Sequence, residues 1–141
     1  MAVPAIIPSS WRDKLAHAYL PETFASIIAV GSLAFGVTIV IMPDFYAGIT
    51  SFALAFAFVE PHWWGLVMVA LSVAMLTLLF TSRQAVAVPT FLLGMVWVLW
   101  VVPIAAVPGF APSAAIAYWM ISLLTITTGF ACTVRREESN G

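Results

Sequence analysis

Four apolar stretches, each about as long as a bilayer is thick, decide what this chain can fold into. The plainest is "PHWWGLVMVALSVAMLTLLF", Pro61 to Phe80, without one acidic or basic residue. A helix over it would be about 30 Å long, the depth of a hydrocarbon core. Comparable runs cover about 21–42, 85–107 and 113–134. No water reaches backbone groups in lipid, so each run is predicted to be a helix that satisfies its own N–H and C=O groups. Composition leaves no soluble alternative. Of 141 residues 63% are hydrophobic and 8% charged, against roughly 25% charged in soluble domains. The predicted fold class is an all-α integral membrane protein: one domain over residues 1–141, its four transmembrane helices forming two hairpins.

Prolines punctuate these runs. Pro21 suits a first helical turn and Pro43 stops the first crossing, while Pro61 opens the second. The third holds Pro89 and Pro103. Breaking at both would leave it too short to span, so the helix is expected to run through at least one of them with a kink. Ahead of the first crossing, Trp11, Leu15, Ala18 and Tyr19 recur at helical spacing behind Ser10 and Asp13. They predict a short amphipathic helix lying in the interface. The connection from Pro43 begins as loop-like "PDFYAGIT" and continues as "SFALAFAFV". Its period-two pattern suggests a strand, but an open strand edge is not tolerated in lipid. A short interfacial or partly re-entrant helix capped by Thr50 or Ser51 is expected there instead. The tail "RREESNG" is expected to fray.

The basic residues orient the chain. Arg12 and Lys14 precede the first crossing, Arg83 lies between the second and third, and Arg135 and Arg136 follow the fourth. Four crossings put all five on one side, and the positive-inside rule makes that side cytoplasmic for both termini. The expected location is the inner, cytoplasmic membrane.

Chemistry has little foothold. A net charge of −1 provides no basic stripe for nucleic acid. One cysteine, Cys132, forms no internal disulfide and no multi-cysteine metal site. The two histidines, His17 and His62, fall on opposite sides of the membrane and cannot share a metal or haem. No catalytic, cofactor-binding or metal-binding residue is assigned. Ion-coupled carriers keep an ionisable group at depth, and the crossings have none away from their ends.

The polar residues that stand out also have plain structural readings. Glu60 and His62 in "VEPHWWG" are two apart, so they do not face each other on a helix. The carboxylate suits a helix N-terminus, and Trp63 and Trp64, with Trp11 and Tyr19, read as interface anchors. Ser122 and Thr125 share a face of the fourth crossing; they read as packing residues with back-bonded hydroxyls, and lining a wet lumen in an oligomer is the sharper alternative. Trp97, Trp100 and Trp119 are likewise expected to anchor at the interface. Ala25, Ala29, Ser32 and Gly36 recur at four, three and four, a stripe on which another helix can pack closely; Gly65 with Ser72 is a further small-residue pair through which copies are expected to associate.

With its "PDFYAGIT" connection and the Pro61, Trp64, Gly65 pattern opening the second crossing, the layout resembles small four-crossing holin-like membrane proteins of actinobacterial phages. The resemblance implies a lysis-cassette protein that oligomerises in the host inner membrane and permeabilises or depolarises it. The short, charge-balanced tail departs from the strongly basic tail common among holins. Expected partners are the lipid bilayer and either further copies of the chain, joined through the small-residue stripe, or a larger membrane complex to which it is an accessory subunit.

Overall fold

The computed structural model describes residues 20–82, 85–107 and 112–139. Four helices in it are long and apolar enough to cross a membrane. The first, α1, covers Leu20–Ile41, with Pro21 and Glu22 in its first turn. Proline needs no donor there, and the carboxylate favours the positive end of the helix dipole. The expected amphipathic helix ahead of it, with Trp11 and Tyr19, lies outside the described residues.

The connection that follows is more ordered than expected. "PDFYA" forms a one-turn helix, α2 (Pro43–Ala47), rather than a loop. Pro43, which stops α1, starts it, because a proline is as well suited to a first turn as it is unsuited to an interior. A 3₁₀ turn over Thr50–Phe52 leads into α3 (Ala53–Phe58). The N-cap of α3 is Phe52, with no side-chain cap bond. The capping role expected of Thr50 or Ser51 is therefore not taken; the 3₁₀ turn itself delivers the chain into the helix.

Val59 and Glu60 are extended, as the residue before a proline prefers. Pro61 then opens α4 (Pro61–Thr81) at its first position. The third crossing is α5 (Ala87–Ala105). Pro89 falls in its first turn, where a missing N–H costs nothing, and the helix runs through Pro103 near its end. The last helix, α6 (Pro112–Ser139), extends well past the crossing at Ser113–Val134. The tail expected to fray is thus helical as far as Ser139. A helix need not stop where it leaves the membrane, because its backbone hydrogen bonds can continue into water.

The helices pair as two hairpins, α1 with α4 and α5 with α6. In the first, glycines bring backbone against backbone. A Cβ on Gly36 would stand 2.9 Å from the Gly65 carbonyl oxygen, and one on Gly65 would stand 2.7 Å from that of Gly36. In the second, a Cβ on Gly94 would meet the Ile126 side chain at 2.7 Å, and one on Gly129 would meet the Phe91 ring at 3.2 Å. Lipid is as apolar as any side chain, so close approach of this kind, rather than hydrophobic exclusion, holds helices together in a membrane. Between the hairpins, α4 touches α5 and α1 touches α6 less extensively.

Candidate functional site

The main cluster of aromatic side chains lies where the hairpins meet, beneath the connection α2–α3. We refer to residues 43–59 as the strap. Tyr46 projects from α2 and shares a 3.0 Å hydrogen bond with Thr38 of α1. Phe52 and Phe56, one helical turn apart, turn toward the bundle. On α5, Leu93, Trp97, Trp100 and Ile104 recur at four, three and four and are all buried, a single face directed inward.

Trp100 is at the centre and fully buried. Its ring centroid lies 5.2 Å from Phe52, 5.3 Å from Trp64, 5.5 Å from Phe56 and 5.7 Å from Phe35. Phe35 stacks on Trp97 at 5.4 Å, and Trp97 on Tyr118 of α6 at 6.1 Å. Every spanning helix and the strap therefore contribute a ring to one cluster. Offset and edge-to-face pairs of this kind contribute about 0.5–1.5 kcal/mol each beyond area burial.

Two indoles add directed bonds. Trp97 Nε1 donates to Ser32 Oγ at 3.0 Å, joining α5 to α1 across the seam. Trp64 Nε1 donates to the Ala55 carbonyl at 3.3 Å, fastening the strap to α4. Trp100 Nε1 is buried with no hydrogen-bond partner; ring faces are the acceptors that its surroundings offer. The cluster contains no charged residue. Aromatic faces, two phenols and indole N–H groups can pack and donate, but they supply no nucleophile–base pair and no metal-ligand set. Among the described residues no group of three His, Cys, Asp or Glu side chains could hold a metal ion.

The small-residue stripe is occupied inside the chain. Ala25, Ala29, Ser32 and Gly36 are buried on α1, as are Gly65 and Ser72 on α4; Gly36 and Gly65 meet each other, and Ser32 meets Trp97 of α5. Ser72 Oγ is buried with no partner. Ser122 and Thr125 are fully buried, and their hydroxyls donate to their own helix, to the Tyr118 carbonyl at 3.1 Å and the Ile121 carbonyl at 2.7 Å. Thr128 does the same with Leu124 at 2.7 Å. All three hydroxyls are thus back-bonded to their own helix on a buried face.

At the start of α4, Glu60 and His62 are both exposed. Trp63 is 58% exposed but Trp64 only 9%. Trp63 therefore has the exposure of an anchor, whereas Trp64, expected beside it, turns inward. Trp97 and Trp100, also expected as anchors, are core residues. The spacing of Trp97, Trp100 and Ile104, and of Phe52 and Phe56, was the signal available for this inward face. It is weak because apolar residues flank it on every side. No protein-family model, curated protein or solved structure matches the chain.

Proposed function

We propose that the chain is a small non-enzymatic protein of the cytoplasmic membrane, both termini cytoplasmic, that acts in a holin-like way: copies associate and permeabilise or depolarise the membrane. The observation that carries this reading is the unequal packing of the bundle. Each hairpin is held by glycine contacts against its partner helix, while the hairpins meet mainly through the rings around Trp97 and Trp100 and the Trp97–Ser32 bond. Units tight within and looser between can part and re-pair between copies. The Ala25–Gly36 stripe is occupied within the chain, so association would run through this exchange of hairpins. The five basic residues, which in sequence precede the first crossing, separate the second from the third and follow the fourth, support the orientation.

A second reading, an accessory subunit of a larger membrane transport or respiratory complex, is favoured by the same occupied stripe, which is not free for a second copy. Inducible expression in a bacterial host, followed by culture density and a membrane-potential dye, separates the two. An abrupt, delayed collapse of potential with growth arrest is the expected result. Unchanged potential, with the protein confirmed in the membrane and a stoichiometric partner on purification, would replace the first reading by the second.

A further inference from the structure

We infer that the strap is a re-entrant segment inserted into one leaflet, and that its outward face is a binding surface for lipid acyl chains. This inference does not depend on the lytic reading.

Depth is the first argument. The strap's inward residues pack on groups well inside the ends of the spanning helices. Phe52 and Phe56 lie against Trp100, five residues before the end of α5 at Ala105, and Trp100 lies against Phe35, six residues before the end of α1 at Ile41. Ala55 accepts from Trp64, three residues into α4. At 1.5 Å per residue the middle of the strap lies about 5–9 Å below the helix ends.

The second argument is chemistry. The opposite face is apolar: Phe58 is 77% exposed, Phe45 61% and Leu54 42%. Leu54 and Phe58 are one turn apart on the side of α3 away from buried Phe52 and Ala55. No acidic or basic residue lies between Asp44 and Glu60, so charge falls only where the strap leaves and rejoins the headgroup layer. Continuity points the same way: Ile41 at the end of α1, Met42 next to it and Trp63 on α4 are exposed beside the strap.

Backbone accounting is the third. Lipid tolerates only a segment whose donors are satisfied internally. The Tyr46, Gly48, Ile49, Phe52 and Val59 N–H groups donate to the carbonyls of Met42, Asp44, Tyr46, Ile49 and Ala55 respectively.

The test uses the full chain in phosphatidylcholine vesicles. In a Cys132→Ser background, bimane is placed at Leu54→Cys or Phe58→Cys, with Val37→Cys as a lipid-facing reference and Asp44→Cys as a headgroup reference. Shallow-brominated lipid should quench the two strap positions several-fold more than aqueous iodide does, as at Val37→Cys. Iodide quenching like that of Asp44→Cys would overturn the inference. So would shielding from both quenchers that is relieved as protein is diluted in lipid, because a second copy would then cover the face. Wild-type chain photolabelled by a carbene-bearing acyl chain gives an independent readout: adducts on residues 54–58 are expected, and their absence overturns the inference.

Discussion

Gly36 and Gly65 each leave space that the other's backbone fills, and this makes them the most sensitive positions in the first hairpin. Gly65→Leu would drive a side chain into the Gly36 carbonyl and the Val40 backbone, at a cost of about 1–3 kcal/mol or more as overpacking. Gly31→Leu is the control, since nothing lies within 4 Å of its added Cβ; it should stay within about 0.5 kcal/mol of wild type. Reversible unfolding in mixed micelles measures both. Two buried serines make an opposite pair. Ser32→Ala removes the acceptor of Trp97 Nε1 and should destabilise by about 1–3 kcal/mol, the cost of an orphaned buried donor. Ser72 Oγ has no partner to lose, so Ser72→Ala should be neutral or stabilise by up to about 1 kcal/mol. Equal losses from the two would refute the hydrogen-bond assignment. These residues stood out in the sequence as a small-residue stripe. Only the three-dimensional contact separates a serine that binds from one that merely fits.

At the scale of elements, the strap depends on a few fastenings. Trp64→Phe keeps a ring against Trp100 but removes the donor to the Ala55 carbonyl. The net loss of about 1 kcal/mol should speed amide exchange over residues 53–59 roughly five-fold, with α4 itself little changed. Hydrogen exchange in vesicles reads this directly; unaltered exchange would mean that the bond does not hold the strap. The spanning helices were legible from their uncharged runs and flanking prolines, within two residues at most limits. The strap was half legible. "SFALAFAFV" announced a short helix, but "PDFYA" was hidden as a loop, because a one-turn helix is too short to show a period. The end of α6 was missed because the limit of an apolar run marks where the membrane stops, not where the hydrogen-bonded helix does.

For the molecule as a whole, the proposed orientation places the strap in the outer leaflet, with Asp44 and Glu60 on the outer side. Asp44→Cys, exposed at the headgroup end of the strap, should label with a membrane-impermeant maleimide in intact cells, and a tag after Gly141 should label only once cells are opened. The reverse pattern would invert the orientation. Cys132, buried in the bundle, should stay unlabelled in either case until the fold is denatured. That the chain spans a membrane, how often, and roughly where each crossing begins were determined by the sequence alone. The length of an uncharged run set against the thickness of a bilayer is a one-dimensional comparison, and the cost of burying charge or open backbone in lipid enforces it. Which helices pair, which tryptophans anchor and which form the core, and whether the small-residue stripe faces inward or toward another copy were decided by the tertiary structure. In water, a core-facing stripe announces itself by contrast with a polar face. In lipid both faces are apolar, so Trp63 and Trp64 read alike until the packing of Phe35, Phe52, Phe56 and Trp100 gives one of them an inside.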